Sequence, residues 1–223
     1  SPSEKTAARE LQEHFKLCTG IQMPILAPAS LEEVGRKPMI LLGLSAWAEK
    51  LGVKPEPGTL GEQGFIIKTA SGHLVIAGTK GVGTLYGVHR FLQEYMGVRW
   101  LAPGVTITPK TTNLVIQPTD RLVKPAFLWR HTSYAWPGGD VAFRTRQGDN
   151  NGRGGPDAEW GIQHAHDGRC HSYFRYINPA TEFKNHPEFF SEIGGKRVET
   201  EAQLCLTKPE VLEIVTQKML ATI

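Results

Sequence analysis

Three features are scarce in this sequence, and each scarcity excludes a class of protein. The chain has three cysteines in 223 residues, and their odd number and wide spacing fit neither a disulfide framework nor a zinc-binding motif. No apolar run is long enough to span a bilayer, so we expect no transmembrane segment. The net charge is only +3, with acidic and basic residues interspersed, so we expect no nucleic-acid surface.

Residues 64–100 carry the strongest structural pattern. Two alternating apolar runs, residues 64–69 and 73–78, are separated by a short turn and predict an antiparallel hairpin. Apolar residues at helical spacing then predict a helix over residues 81–96. Gly83 and Gly87 are four apart on one face of this helix, so they predict a close approach between helix and sheet.

The glycines at the start of this helix do not indicate a nucleotide site. Tyr86 stands where the dinucleotide fingerprint requires its third glycine, and no Gly-Lys-Ser/Thr follows for a phosphate loop. The preceding hairpin is antiparallel, whereas a pyrophosphate is bound in a parallel crossover unit. We therefore exclude both kinds of nucleotide-binding loop.

The remaining elements predict two domains. A helix over residues 3–20 and a short strand at 37–43 complete an α+β domain over residues 1–118, with a mostly antiparallel sheet and two helices. Residues 117–125 have the composition of a linker. Residues 119–223 alternate short strands, loops and a final helix, as in the first units of a (β/α) TIM-type barrel. A complete barrel takes about 250 residues, so we expect a truncated one.

Motifs in both halves resemble known families. Gly83-x-Leu-Tyr-Gly87, followed by Gly97-Val-Arg-Trp100, resembles the N-terminal domain that precedes the barrel in β-hexosaminidases and α-glucuronidases. Asn185-His-Pro-Glu-Phe-Phe190 and Gln203-Leu-Cys-Leu-Thr207 are similar to a bacterial family known mainly as a domain of unknown function, DUF4838. The resemblance implies the N-terminal portion of a glycoside-hydrolase-like protein acting on glycans that contain hexosamine or uronic acid.

The resemblance also implies site residues. Pro125-Ala-Phe-Leu-Trp-Arg130 resembles the first barrel strand of hexosaminidases, whose arginine binds sugar hydroxyls, and His171 falls at the barrel rim. Residues 143–153 would form the first loop on the catalytic face, where arginines and amides suit polyhydroxylated or uronic ligands. We predict that a carbohydrate binds to Arg130, His131, Arg146, Asn150, Asn151 and His171.

The catalytic residues are not predicted. Glycosidases use a carboxylate pair, and the resemblance places the catalytic acid beyond Ile223, so we expect this chain alone to be inactive. A non-catalytic carbohydrate-binding module is the first alternative. The second is a metal-dependent hydrolase, because His164 and His166 would point to one side of a strand. In our leading interpretation the protein uses no metal or cofactor. Since relatives tend to be exported, we expect an extracytoplasmic location. The oligomeric state is left open.

Overall fold

The computed structural model describes residues 1–26, 37–56, 58–132, 140–150, 157–162 and 172–221. Internal contacts divide the chain into two compact units, Ser1–Ala165 and His166–Ile223. Helices and strands occur in both, so the fold class is mixed α/β. The predicted division into residues 1–118 and 119–223 stays a prediction.

The first unit is built on a four-stranded mixed sheet in the order β1-β3-β2-β6. Strand β1 is parallel to β3, and the other two pairings are antiparallel. The strands of this unit are β1 (Ile40–Leu42), β2 (Phe65–Ala70), β3 (His73–Gly78), β4 (Arg99–Ala102), β5 (Val105–Ile107) and β6 (Asp120–Val123). Its helices are α1 (Pro2–Thr19), α2 (Ala46–Lys50), α3 (Gly81–Glu94) and α4 (Val141–Arg146). Strands β4 and β5 form a separate antiparallel pair.

Both faces of the central sheet are covered because its side chains alternate in direction. Phe65 and Ile67 of β2, with Ile76 of β3, belong to the same core cluster as residues of α1 and α3. The intervening residues Ile66 and Val75 belong to a second cluster that includes Ala48 of α2. Burial on both faces explains why consecutive residues such as Phe65, Ile66 and Ile67 are all apolar.

The N-terminal helix is fixed at both ends by local side-chain chemistry. Ser1 and Glu4 form a capping box, in which the Ser1 hydroxyl accepts from the Glu4 amide. Gly20 ends the helix with a φ of +78°, a conformation that glycine adopts without strain. The helix therefore begins at Pro2, one residue before its predicted start, and it ends at Gly20 as the pattern predicts.

The predicted close approach of α3 to the sheet is confirmed at both glycines. A Cβ atom at Gly83 would overlap the carbonyl oxygen of Gly64 and lie 3.1 Å from the Cα atom of Gly78. A Cβ atom at Gly87 would lie 2.7 Å from a methyl group of Ile76. The two missing side chains thus let the helix lie against the strand backbone.

Gly83→Ala is expected to lower the free energy of unfolding by roughly 1–2 kcal/mol. Alanine is about 1 kcal/mol more favourable than glycine inside a helix, but the added methyl group overpacks the core. Overpacking costs about 1–3 kcal/mol, and more where the methyl group meets backbone atoms that cannot move aside. Urea denaturation followed by circular dichroism measures the difference. Gly87→Ala is the matched control with a smaller expected cost, because its new methyl meets side chains. Stabilisation by Gly83→Ala would contradict the close packing.

Two predictions about residues 117–134 are wrong. Residues 120–123 are not linker, because they form β6, in which Val123 pairs with Phe65 and Leu122 with Ile66. Residues 124–132 do not continue as a strand; they run without regular secondary structure. The linker prediction failed because residues 120–123 form hydrogen bonds with the edge of β2, and local composition does not reveal this partner.

The second unit contains short elements around a small core. Its helices are α5 (Tyr173–Tyr176), α6 (Pro179–Glu182) and α7 (Pro209–Leu220), and its strands are β7 (Glu192–Ile193) and β8 (Lys196–Arg197). Phe190 is fully buried beside Ile177, Leu204 and Val211. Lys208 is the N-cap residue of α7 and makes no side-chain cap bond. Across the described residues of both units, no helix has the length and apolarity needed to cross a membrane.

Candidate functional site

A cavity of about 560 Å³ lies in the first unit, where the segment after β6 passes α4 and the turn that follows α4. Asp140 caps α4 by accepting a hydrogen bond from the Phe143 amide, and the Phe143 ring is buried. This cap fixes where the helix begins and so places the turn that ends in Asp149. The cavity is lined by Trp100, Leu101, Arg130, His131, Thr132, Phe143, Arg144, Gln147, Gly148 and Asp149.

Arg130 lines the cavity and is also bonded to the scaffold. Its Nη1 donates to Oε1 of Gln63 at 2.7 Å and to the carbonyl of Phe127 at 2.8 Å, and its Nε donates to the carbonyl of Gly148 at 2.8 Å. The guanidinium also lies over the Tyr86 ring, 5.3 Å from its centroid. The orientation of this charge is therefore set before any ligand binds.

Asn150 is buried beside the same segment and joins it to the turn after α4. Its side-chain oxygen accepts from the Arg130 amide at 2.7 Å, and its Nδ2 donates to the carbonyl of Leu128 at 2.7 Å. Its backbone amide donates to the carbonyl of Arg130. Asn150 supports the segment that carries Arg130, and its predicted contact with a ligand stays a prediction.

His131 and Asp149 meet at the cavity wall. The His131 Nδ1 lies 3.5 Å from a carboxylate oxygen of Asp149, and the Thr132 amide donates to that oxygen at 3.2 Å. Asp149 is only 6% exposed, and His131 is partly buried. An imidazole beside a carboxylate is suited to bind a hydroxyl group or to exchange a proton with it.

Arg146, the other predicted arginine, forms a buried ion pair with helix α1. Its Nε and Nη2 donate to the two carboxylate oxygens of Glu10, each at 2.7 Å. Burial alone would raise the pKa of Glu10, but the neighbouring His89 and Arg146 side chains outweigh it, and the pKa falls from 4.5 to about 2. A bidentate pair of this kind fixes both position and angle of α4 relative to α1.

Two histidines and two indoles surround this ion pair. The Nε2 of His89 lies 3.4 Å from Glu10, and burial lowers the pKa of His89, so its imidazole is neutral at neutral pH. Arg146 is therefore the partner that keeps Glu10 charged. Trp100 donates its indole N–H to His14 at 3.1 Å, and the Arg146 guanidinium lies within 6 Å of the Trp100 and Trp160 ring centroids.

The structure thus separates the predicted site residues. Arg130 and His131 line the cavity, Asn150 lies behind it, and Arg146 faces α1. Asn151, His171, His164 and His166 lie outside the described residues. Within the part of the chain that is described, no group of three or more histidine, cysteine or acidic side chains is arranged to hold a metal ion.

Sequence reasoning missed Glu10 and Gln63. Glu10 and His14 lie on the buried face of α1 together with Ala7 and Leu11. A charged residue on an otherwise apolar helix face indicates a buried polar partner, so the sequence pattern could have identified Glu10. Gln63 stands between two predicted elements and belongs to no motif, so nothing local distinguishes it.

Two protein-family models match different parts of the chain. Residues 1–91 match the family described as Glycosyl hydrolase family 67 N-terminus. Residues 100–223 match Domain of unknown function (DUF4838), which covers more than half of the chain. The chain therefore belongs to the DUF4838 family, and the resemblance seen in the sequence is confirmed.

One solved structure similar to this chain is described as a novel family GH115 4-O-methyl-alpha-glucuronidase, BtGH115A, with specificity for decorated arabinogalactans. The two are 20% identical with a TM-score of 0.46, and the match covers 58% of this chain and 17% of that one. This chain thus spans under a fifth of that protein's length. No curated protein sequence matches it.

Proposed function

We propose that this chain is the N-terminal portion of a glycoside-hydrolase-like protein and that it binds a sugar of its glycan substrate in the cavity beside Arg130. The observation that carries the proposal is the set of groups on one wall, where the Arg130 guanidinium, the His131 imidazole and the Asp149 carboxylate lie together. Donors and acceptors in that arrangement suit neighbouring sugar hydroxyls, while the exposed Leu101 side chain offers apolar surface to a ring face.

Family membership supports the class of protein but leaves the sugar open. The glycosyl hydrolase match covers residues 1–91, so the assignment of a hexosamine or a uronic acid as ligand rests on the sequence resemblance. We further propose that a TIM-type barrel begins in the part of the chain that follows β6 and that the protein acts outside the cytoplasm. The two catalytic carboxylates are left unassigned.

A non-catalytic carbohydrate-binding role is the second candidate. Among the described residues that line the cavity, Asp149 is the one carboxylate, whereas a glycosidase needs two that flank the bond. Hydrolysis of 4-nitrophenyl glycosides of glucosamine, N-acetylglucosamine and glucuronic acid by the longer protein of which this chain is the proposed N-terminal portion separates the two roles. Turnover would favour the enzyme, and binding without turnover would favour the module.

The binding proposal is tested by calorimetric titration with the three free sugars. We expect one of them to bind, and His131→Ala to weaken that binding about tenfold, because one lost hydrogen bond costs about 0.5–1.5 kcal/mol and 1.4 kcal/mol is tenfold. Arg130 is a poorer choice for the substitution, since its guanidinium also bonds Gln63 and Gly148.

His186→Ala is the matched control. His186 is an exposed histidine of the second unit whose Nδ1 lies 3.3 Å from a carboxylate oxygen of Glu188, and its ring stacks on Phe189. Affinity should not change in this variant. Failure of all three sugars to bind, or equal affinity in folded His131→Ala, would contradict the proposal.

A further inference from the structure

Gln63 is a buried amide that reaches from the edge of the central sheet to the cavity. It is 8% exposed and directly precedes Gly64 and strand β2. Its Oε1 accepts from Arg130 Nη1 at 2.7 Å and from Asn150 Nδ2 at 3.2 Å, and its Nε2 donates to the carbonyl of Leu128 at 2.8 Å. One side chain thus bonds three residues of the candidate site.

We propose that Gln63 is a positioning residue that holds Arg130 in its ligand-binding orientation. The inference deepens the proposed function and rests on it, since the cavity is taken as the sugar site. Gln63 and Asn150 act as a pair of amides, because both donate to the carbonyl of Leu128 and both bond Arg130, one at its guanidinium and one at its backbone. The two sides of Arg130 are thereby fixed by different parts of the chain.

The backbone next to Gln63 gives the amide a fixed base. The Gly64 amide donates to the carbonyl of Leu60 at 3.0 Å, and a Cβ atom at Gly64 would overlap that carbonyl and lie 2.8 Å from the carbonyl of Val123. Gly64 is therefore enclosed by backbone on two sides. The central sheet therefore fixes the backbone of Gln63, and the Gln63 side chain in turn fixes the Arg130 guanidinium.

This arrangement assigns a role in the site to the N-terminal segment. Gln63 lies in the segment that matches the glycosyl hydrolase family 67 N-terminus, whereas Arg130 and Asn150 lie in the DUF4838 segment. Tyr86, also in the first segment, lies under the same guanidinium. The two segments therefore build one site, and residues 1–91 are part of the binding machinery.

The test uses the full 223-residue chain without ligand, so that it does not depend on the sugar. Nuclear magnetic resonance measures hydrogen exchange at the Arg130 Nε–H, which donates to the carbonyl of Gly148, whereas Nη1 is the atom that donates to Gln63. Gln63→Met keeps the shape of the side chain and removes its hydrogen bonds. Gln63→Glu keeps the acceptor for Arg130 and Asn150 but loses the donor to Leu128.

We expect exchange at the Arg130 Nε–H to rise at least tenfold in Gln63→Met and to stay within twofold of wild type in Gln63→Glu. The backbone amides of β2 and β3 should remain protected in both variants, which separates loss of positioning from loss of the fold. Gln12→Met is the matched control, because the Gln12 amide also donates to a backbone carbonyl, that of Met23, at 2.6 Å. Gln12→Met should leave the exchange rate of the Arg130 Nε–H unchanged.

Unchanged exchange at Arg130 in folded Gln63→Met would overturn the proposal. If Gln63→Met does not fold, Gln63→Leu decides on the same criterion, since tenfold faster exchange at Arg130 would support the proposal and wild-type exchange would overturn it. Affinity for the sugar that binds is then measured in the folded variants, with about tenfold weakening expected when Arg130 loses its protection. Absence of sugar binding would remove the proposed function and leave the exchange result standing.

Discussion

Glu10→Ala is expected to lower the free energy of unfolding of the first unit by about 3–5 kcal/mol, because it leaves the charge of Arg146 partly buried without its partner. The Glu10 side chain is 7% exposed and that of Arg146 is 19% exposed, so water replaces the lost carboxylate poorly. The pKa of Glu10, about 2 in the folded chain, is a second sign that its charged form is stabilised by the surroundings.

Chemical denaturation with tryptophan fluorescence measures this loss, since Trp100 and Trp160 both lie next to Arg146. Glu159→Ala is the matched control. It removes the partner of Arg9, the residue before Glu10, from a pair whose side chains are about 60% exposed, and the expected change is below about 1 kcal/mol. A loss in Glu10→Ala no larger than in Glu159→Ala would show that the buried pair does not stabilise the fold.

A double-mutant cycle then isolates the pair. Glu10→Ala, Arg146→Ala and the double variant should be non-additive, with the double variant less destabilised than the sum of the two single variants. The reason is that removing both partners leaves no unpaired charge. Additive losses would mean that each side chain contributes through other contacts, such as the stacking of Arg146 on Trp100.

Periodic patterns predicted the centre of the first unit well. The hairpin of β2 and β3 follows from alternation, and α3 follows from apolar residues at helical spacing. Gly83 and Gly87 even predicted which face of the helix approaches the sheet, because a missing Cβ limits what contact the position can make. These features depend on residues that are close in sequence, so they can be predicted from local sequence patterns.

Long-range pairing marks the limit of that reasoning. Strand β6 lies between two prolines and reads as a linker, and only the free edge of β2 makes it a strand. In the candidate site, Arg130 followed from the family resemblance, whereas its bond to Gln63 joins residues 67 positions apart. The partner of Glu10 is 136 positions away. No local pattern specifies such partners, although a charged residue on the buried face of α1 indicates that one exists.

His89 should make the first unit sensitive to mild acid. His89 is 2% exposed, and burial lowers its pKa below the usual 6.5 despite the neighbouring Glu10. The groups that face it are Glu10 and His14 from α1, Arg146 from α4, and the rings of Trp100 and Trp160. The cation Arg146 opposes a second positive charge, and the carboxylate of Glu10 is already paired with it.

The sign of the effect follows from proton linkage. Below about pH 6.5 the unfolded chain protonates His89 more readily than the folded chain does, so the stability present above that pH is lost as the pH falls. One proton of difference changes the free energy of unfolding by up to about 1.4 kcal/mol per pH unit. Glu10 adds its own loss only in stronger acid, between its ordinary pKa of 4.5 and about 2.

Urea denaturation of wild type and His89→Gln between pH 7.5 and 5.0 measures the linkage. We expect the free energy of unfolding to fall more steeply with acid in wild type, with the two curves converging as the pH falls, because glutamine takes up no proton. His186→Gln, at an exposed histidine, should retain the wild-type slope. Equal slopes in wild type and His89→Gln would contradict this prediction. They would show that His89 is protonated as readily in the folded chain as in the unfolded chain, so the pocket formed by Glu10, Arg146 and the two indoles would not keep it neutral.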